Sequence, residues 1–443
     1  MVSKYDVFYV IATKGEIRVI DIVDALHKNK EEYRSIFNQV LKLEKENLVY
    51  RNEAVRPSKD PSSVQLFQLI RFCVDNGMNY NLMLKPTMIE FIEQAARKEF
   101  FTTKDITINP RTFNFYRTAL SRYGILLVIS RRPVTCKLLR HNFLVKLLQY
   151  FGRESDFYTP KEHTFMREIK NELRKYKRNL KINYSILDDL EKRRKVDFIY
   201  SSLHLEGNPL TLPETQKLIL QEIVPEKHKL RHIQEVSNYK RAIDLMVENS
   251  EKGIKIDLPL ILEYHRSAMN HPPMNRWVSS SETQESASPF SPPPNGGGPQ
   301  RGFLRMEHIH GAGQLRSQNV RIKGNPSFKT CEWRMIPMKI KRLMEKYREF
   351  TEGRNNLAEV ISFAAFFHNE FQRIHPFIDG NSRTSRLLMF HILRSNDIPV
   401  LDLPIGYFDQ YLDLTKRSKC RDDDALRRII EEMIFFSLRK LNG

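Results

Sequence analysis

One short stretch of the chain, residues 374–386 (IHPFIDGNSRTSR), carries side chains that together could handle a nucleotide. His375 supplies an imidazole that titrates near neutral pH and can act as a base. Asp379 supplies a carboxylate, an oxygen ligand suited to Mg²⁺. Arg383 and Arg386 are three residues apart, so on a helix they lie on one face and could hold two phosphate groups. A base, a metal ligand and two phosphate-binding arginines predict a site for nucleotidyl transfer.

The residues around this stretch predict a helix, a loop and a second helix. Apolar residues follow a helical pattern over 361–374, and Pro376 cannot continue that helix. Gly380 and Asn381 permit a tight turn. A second apolar helix begins after it, over 385–393. The backbone N–H groups at the start of that helix would face the loop, where such groups readily bind phosphate.

The stretch resembles the signature of Fic-domain (Fido-fold) proteins, His-x-Phe-x-Asp/Glu-Gly-Asn-x-Arg-x-x-Arg, and matches all seven fixed positions in twelve residues. The resemblance extends from about residue 185 to the C-terminus. It implies a helical domain with one small β-hairpin, the substrate-docking flap, at Val320, Arg321 and Ile322. It also implies transfer of AMP from ATP to a Ser, Thr or Tyr hydroxyl of a protein.

The resemblance assigns roles to the matching positions. His375 would be the general base, and Asp379 would hold Mg²⁺ between the α- and β-phosphates. The nucleotide-binding positions would be Gly380, Asn381 and Ser382, as an anion-binding nest, with Arg383 on the β-phosphate and Arg386 on the γ-phosphate. Ser382 stands where the family usually has Gly or Lys. It fits as a capping residue if it begins the helix, and it would strain the loop if its φ were positive, which leaves its effect on turnover open.

A second motif lies upstream, where Ser202 and Glu206 match the family's inhibitory pattern Ser/Thr-x-x-x-Glu-Gly/Asn. The resemblance is to the subgroup with an N-terminal inhibitory helix, here near residues 190–207. The Glu206 carboxylate fits the fork of Arg386 and would compete there with the γ-phosphate. The pattern therefore predicts autoinhibition by Glu206, and it leaves removal of AMP by the same site open. The plainer interpretation is a surface glutamate before a turn.

The N-terminal region predicts two successive groups of helices that each include a hairpin, residues 1–62 and residues 63–150, and the second segment begins with a bridging helix. Their order resembles the winged helix-turn-helix. Residues 101–150 contain nine Lys and Arg against one Asp, a basic surface that a polyanion would attract.

Two interpretations of this basic region stay open. If it binds duplex DNA, a helix would face the major groove and a hairpin tip would contact phosphates or the minor groove. The residues concerned would be Arg111, Asn114 and Arg117 on the helix, and Arg131 and Arg132 at the tip. The alternative is a protein-interaction or dimerisation module with solvated arginines, which also leaves a homodimer open.

The remaining region, residues 151–443, would be the Fic domain with a mobile Ser-, Pro- and Gly-rich insertion over 274–303. The predicted fold is mainly α. No run of about 18 apolar residues exists, so no membrane span is expected. Four scattered cysteines and the absence of a signal-peptide pattern favour the cytoplasm.

Two hypotheses of function result. The first is an ATP- and Mg²⁺-dependent protein adenylyltransferase that Glu206 inhibits. The second is a DNA-binding transcriptional regulator whose Fic domain only binds nucleotide. The second would require neither His375 nor Asp379, so their presence favours the first.

Overall fold

The computed structural model describes residues 2–159, 163–182, 184–226, 228–269, 277–278, 305–306, 311–322, 325, 328–399, 402–417 and 420–442. Its contacts divide the chain into two compact units, residues 1–228 with 398–443, and residues 229–397. The domain boundaries predicted near residues 62 and 150 fall inside the first unit and stay predictions.

The first unit begins with three helices and a hairpin. These are α1 (Lys4–Lys14), α2 (Val19–Ala25), α3 (Tyr33–Lys45), β1 (Val49–Arg51) and β2 (Val55–Pro57). The two strands are antiparallel, with Tyr50 opposite Arg56. Ile36, Val40 and Leu43 are buried on one face of α3, as their helical spacing predicts.

A second group of elements follows a helical bridge. The bridge consists of α4 (Pro61–Asp75) and α5 (Tyr80–Met83), and the group comprises α6 (Pro86–Ala96), β3 (Phe101–Thr102), α7 (Pro110–Arg122), β4 (Leu126–Arg131), β5 (Val134–Leu138) and α8 (Asn142–Tyr150). The strands form an antiparallel sheet in the order β3-β5-β4. Asn109 caps α7 through the Arg111 N–H at 2.8 Å, and Pro110 occupies the first turn, where a missing N–H costs nothing. The order of elements agrees with the sequence prediction.

Three further helices lead to the end of this part of the first unit: α9 (Met166–Ile182), α10 (Tyr184–His204) and α11 (Leu212–Gln221). The second unit contains α12 (Leu230–Glu251), α13 (Leu258–Met269), β6 (Trp277–Val278), β7 (Arg305–Met306), α14 (Ile336–Glu352), α15 (Leu357–Ile374) and α16 (Asn381–Arg394). The chain then returns to the first unit with α17 (Phe408–Leu412), the π-helix Asp413–Arg417 and α18 (Asp423–Leu441).

Helix α16 is the centre of the second unit. It contacts α12, α13 and α15, and every residue from Asn381 to Leu393 is buried. A helix buried on all sides must satisfy its polar side chains within the protein or with a ligand. The first turn of α16, which carries the two signature arginines, is therefore the natural place to look for a site.

The structure differs from the predicted flap hairpin, because the described residues on either side of its turn, 319–322 and 328–330, form no strand. Residues 311–322 are irregular and contain no strand, and side chains bond two of the carbonyl groups there. Arg316 Nη1 donates to the Gln318 carbonyl at 2.7 Å, and Thr330 Oγ1 donates to the Val320 carbonyl at 2.9 Å. Part of the predicted turn lies outside the described residues. So does the predicted insertion over 274–303, apart from β6, which pairs with β7.

No helix among the described residues is long and apolar enough to cross a membrane.

Candidate functional site

Helix α15 ends at His375, which adopts a left-handed conformation with φ 49° and ψ 60°. Its N–H still donates to the Phe371 carbonyl at 2.9 Å, and Pro376 then prevents another helical turn. For a residue with a Cβ, this conformation costs about 1 kcal/mol of free energy. The surrounding contacts must offset that cost, so the turn at His375 is one that the tertiary structure imposes.

The hydrogen bonding of His375 defines which tautomer its neutral ring adopts. Nδ1 lies 3.2 Å from the carbonyl oxygen of Gln372, which can only accept a hydrogen bond. The neutral imidazole therefore carries its proton on Nδ1 and its lone pair on Nε2. This is the form in which the ring can accept a proton at Nε2.

The side chain of Asn381 holds the signature loop together. Its Oδ1 accepts the Phe377 N–H at 2.9 Å, and its Nδ2 donates to the Phe377 carbonyl at 2.8 Å. Phe377 is fully buried and stacks on the His265 ring, with centroids 3.6 Å apart. Because the amide of Asn381 is engaged within the loop, its backbone N–H is what it can offer to an anion.

The start of α16 presents three backbone donors. Gly380 precedes the helix with φ 79°, and the first intrahelical bond runs from the Thr384 N–H to the Gly380 carbonyl at 2.9 Å. The N–H groups of Asn381, Ser382 and Arg383 come before that bond, at the positive end of the helix dipole. Ser382 lies within the helix and is not among the residues of positive φ, so it strains neither the loop nor the helix.

Asp379 lies beside these donors with its side chain 75% exposed. Its Oδ1 accepts the Gly380 N–H at 2.6 Å, and its Oδ2 lies 3.3 Å from Arg383 Nη2. Within the described residues no group of three His, Cys, Asp or Glu side chains could hold a metal ion. Asp379 is the carboxylate of this loop that could hold a Mg²⁺ ion.

The two signature arginines are buried, Arg383 being 5% and Arg386 1% exposed. Within the described part of the chain, the Nε of Arg383 is buried without a hydrogen-bond acceptor. A buried guanidinium N–H without an acceptor is costly, and such groups are rare in folded proteins. An anionic oxygen at the start of α16 would relieve that cost.

His265 on α13 is a residue that the sequence analysis missed. Its Nδ1 accepts the Gly313 N–H at 2.8 Å, so its Nε2 carries the proton that is donated to the Asp379 carbonyl at 2.9 Å. Burial lowers the pKa of His265 to about 4, which keeps the ring neutral. His265 thereby ties the signature loop to the segment that begins at residue 311. No motif in the sequence marks it, because its partners lie 48 and 114 residues away along the chain.

The inhibitory motif lies at the end of α10, in the first unit. Gly207, with φ 88°, ends the helix, and the Asn208 N–H donates to the Leu203 carbonyl at 3.1 Å, as in a Schellman motif. Ser202 is fully buried, and Glu206 accepts a hydrogen bond from Lys416 Nζ at 2.7 Å. Lys416 is a partner that the sequence analysis did not assign. The pairing of Glu206 with Arg386 stays a prediction.

The basic region exposes most of the residues that were predicted to bind DNA. Arg111 and Asn114 are exposed on α7, and Arg131 and Arg132 are exposed at the β4–β5 tip. Arg117 is half-buried and its Nε is enclosed, so its predicted contact with DNA stays a prediction. Phe115 on the same helix is 59% exposed.

Comparisons with known proteins agree with this site. Residues 301–393, which include the signature stretch, match the Fic/DOC family. The chain is 24% identical over 245 residues to the protein adenylyltransferase Fic of Drosophila grimshawi, covering 55% of this chain and 42% of that protein. It is 24% identical over 251 residues to the same protein of Drosophila mojavensis, covering 56% and 41%. The match therefore spans about two fifths of the length of these curated relatives.

Solved structures give a weaker likeness. A Fic-domain-containing signalling protein from Bacteroides thetaiotaomicron is 20% identical with a TM-score of 0.46, covering 62% of this chain and 95% of that one. Fic-1 from C. elegans is 19% identical with a TM-score of 0.46, covering 62% and 70%. The sequence matches and the signature stretch lead to one statement: residues 301–393 match the Fic/DOC family, and the chain is distantly similar to the protein adenylyltransferases named Fic.

Proposed function

We propose that this protein transfers AMP from ATP to a hydroxyl group of a protein substrate. The observation that carries the proposal is the buried, acceptor-less Nε of Arg383 at the start of α16. Such a nitrogen, next to three open backbone N–H groups, suits a polyphosphate. The distant relation to protein adenylyltransferases supports the same reaction.

In this proposal His375 is the general base. Its Nε2 accepts the proton of a Ser, Thr or Tyr hydroxyl as that oxygen forms a bond to the α-phosphorus. The bond from the α-phosphorus to the bridging oxygen breaks, and pyrophosphate leaves with the electron pair. Arg383, Arg386 and the N–H groups of residues 381–383 hold the phosphates in line for this attack.

Mg²⁺ belongs to the proposal as well. Held by Asp379, it would neutralise negative charge as pyrophosphate leaves. Residues 320–322 would receive the segment of the protein substrate that carries the hydroxyl, and we place the reaction in the cytoplasm.

Regulation by Glu206 is the next part of the proposal. A carboxylate on the Arg386 fork would displace the γ-phosphate and leave ATP bound out of line. The same glutamate could direct water to a modified hydroxyl. The proposal therefore includes a second activity of this site, the removal of AMP from a modified protein.

Incubation with ATP labelled on the α-phosphate tests the transfer reaction. We expect label to enter protein with wild-type chain or its Glu206→Gly variant. His375→Ala should abolish incorporation, self-modification included, while ATP affinity survives because other residues hold the phosphates. Undiminished transfer by His375→Ala would rule out this mechanism.

A second candidate function is DNA-binding regulation through the two groups of helices and hairpins, taken as winged helix-turn-helix units. The exposed Arg111, Asn114, Arg131 and Arg132 favour it, because they surround one helix face and one hairpin tip of the most basic region. This role could accompany AMP transfer, with DNA binding locating the enzyme. If the protein acts only as a DNA-binding regulator, its Fic domain would bind nucleotide without transferring AMP.

A further inference from the structure

Arg316 is a buried cation that lies just before residues 318–331. We call these residues the flap-like segment, because they contain the positions predicted for the flap. Arg316 is 3% exposed, yet no carboxylate among the described residues forms an ion pair with it. A buried charge normally requires a counter-charge or a full set of hydrogen bonds. The guanidinium group of Arg316 makes four hydrogen bonds, and all four acceptors are backbone carbonyl groups.

Those carbonyl groups surround His375. The Nε of Arg316 donates to the His375 carbonyl at 2.7 Å, and its Nη2 lies 3.4 Å from the Ile374 carbonyl. Its backbone N–H donates to the Pro376 carbonyl at 2.9 Å. The end of α15 is the negative pole of that helix, so the guanidinium charge is placed where it is stabilised.

The carbonyl groups from residue 371 to residue 376 all receive a donor. His375 itself supplies the donors for residues 371 and 372, and the Cys331 N–H supplies the donor for Arg373 at 3.0 Å. Arg316 supplies the other three. The left-handed turn at His375 leaves these carbonyl groups without helical partners, and Arg316 supplies their donors, two from its guanidinium group and one from its backbone N–H.

Arg316 also joins the two ends of the flap-like segment. Its Nη1 donates to the Gln318 carbonyl at 2.7 Å, and its Nη2 donates to the Cys331 carbonyl. The same planar group thus contacts the beginning of residues 318–331, their end and the turn that carries the base. Lysine could not bridge these sites, because it has one nitrogen where arginine has three.

We propose that Arg316 is a positioning residue that fixes the His375 imidazole and links it to the base of the flap-like segment. The proposal rests on the proposed function, in which His375 is the base. Without Arg316, the turn at His375 would relax and the Nδ1–H bond to the Gln372 carbonyl would no longer be held. The lone pair on Nε2 would then point at the incoming hydroxyl only part of the time.

The test uses the full chain with Glu206→Gly as background, and compares Arg316→Met, Arg316→Lys and Arg342→Met. Arg342 is an exposed arginine on α14 and serves as the matched control. We expect Arg316→Met to lower kcat by about 10²-fold, the usual cost of displacing a reacting group by about 1 Å. ATP affinity should stay within about twofold, because the loss is confined to the transition state. Arg316→Lys should give a smaller loss of the same kind, and Arg342→Met none.

A second measurement reads His375 directly. In ¹⁵N-histidine-labelled protein, with His375→Ala used for assignment, the ring of His375 should show the Nδ1–H form, and Arg316→Met should shift or broaden that signal. Unchanged kcat and imidazole signals in Arg316→Met would overturn the proposal, as would an equal loss of kcat and ATP affinity. If no variant transfers AMP, the proposed function fails, and the imidazole signals alone decide the role of Arg316.

Discussion

Gly380 is the residue that most directly sets the shape of the signature loop. Its φ of 79° belongs to the region that favours glycine, and a Cβ built there would lie 2.7 Å from Met269 Sδ and 3.1 Å from His265 Nε2. His265 also holds the Asp379 carbonyl. A side chain at position 380 would therefore push on both the loop and the residue that anchors it.

Gly380→Ala should lower the free energy of unfolding by about 2–4 kcal/mol, from the φ cost and overpacking together. It should also weaken ATP binding by about tenfold or more, since the open N–H groups would shift. Gly253→Ala is the matched control, because its φ is 67° but no atom lies within 4 Å of the added Cβ. It should cost about 1 kcal/mol and leave ATP affinity unchanged. Urea unfolding and nucleotide titration measure both effects, and equal stability losses in the two variants would contradict the steric argument.

At the scale of elements, the position of α16 depends on a buried histidine at its far end. His391 Nδ1 lies 2.8 Å from the Tyr264 hydroxyl, and its Nε2 lies 2.8 Å from the Ile254 carbonyl. The carbonyl only accepts, so Nε2 carries the proton and the Tyr264 hydroxyl donates to Nδ1. Burial lowers the pKa of His391 to about 4. The neutral ring thus ties α16 to α13 and to the loop after α12.

This helix anchor should be sensitive to acid. The pKa of His391 is lower in the folded chain than in the unfolded chain, so protons bind the unfolded chain first as the pH falls. Its contribution is complete above about pH 6.5 and is lost as the pH falls towards 4. Between pH 7 and pH 5 the wild type should lose about 2 kcal/mol more unfolding free energy than His391→Gln, which cannot take up a proton there.

Urea unfolding at the two pH values measures this difference. His27→Gln, at an exposed position, should keep the pH dependence of the wild type. The same pH dependence in His391→Gln and in the wild type would contradict the assignment of this histidine.

The end of α10 is the element on which regulation is proposed to depend. Glu206 lies two residues beyond the last residue of α10 and directly before Gly207, whose positive φ forms the turn that follows the helix. Its pairing with Lys416 shows that the carboxylate does engage a cation. In the proposed inhibited state, the fork of Arg386 would be a further cation for the same carboxylate.

Glu206→Gly should raise AMP incorporation by about 10²-fold, because the γ-phosphate regains its arginine and the α-phosphorus comes into line. Arg386→Ala should not reproduce that gain, since it removes the γ-phosphate contact along with the anchor of the inhibitor. The double variant Glu206→Gly/His375→Ala should be inactive, which assigns the gain to the same site. Equal incorporation by wild type and Glu206→Gly would end the inhibitory interpretation.

At the scale of the whole molecule, charge is the property that points to a polyanionic partner. The net charge is +19, and residues 101–150 hold nine basic residues against one acidic residue. Exposed arginines on α7 and at the β4–β5 tip belong to this region. Counterion release makes binding by such a surface steeply dependent on salt.

Replacing Arg111, Arg131 and Arg132 together with Ala should weaken duplex binding and reduce the slope of log K against log salt by about 2–3, one for each lost phosphate contact. A control with Lys341, Arg342 and Arg348 replaced by Ala on α14 removes the same charge elsewhere. Its slope should stay close to that of the wild type. Gel shifts and fluorescence titrations over a range of salt concentrations provide the measurement. Absence of any shift at low salt with the wild type would remove the DNA-binding role.

Local patterns were sufficient to predict the order of the elements around the signature stretch, and the chemistry that they indicate there stays a prediction. The types and spacing of His375, Asp379, Arg383 and Arg386 indicate a nucleotide site before any fold is known, because the signature occupies consecutive turns of one loop and helix. Pro376 and Gly380 mark the loop for the same reason, since each acts on its own backbone. Ser382 could be judged only once α16 was seen to begin at Asn381.

What only the tertiary structure decided are contacts between residues far apart in the chain. The bonds from Arg316 to His375, from His265 to Asp379 and from Lys416 to Glu206 span 59, 114 and 210 residues. Hydrophobic periodicity reports which face of an element is buried, but it carries no information about which polar partner lies there. The sequence patterns therefore did not single out Arg316, whereas packing buries it against the carbonyl groups of Ile374 and His375, which require a donor at the left-handed turn.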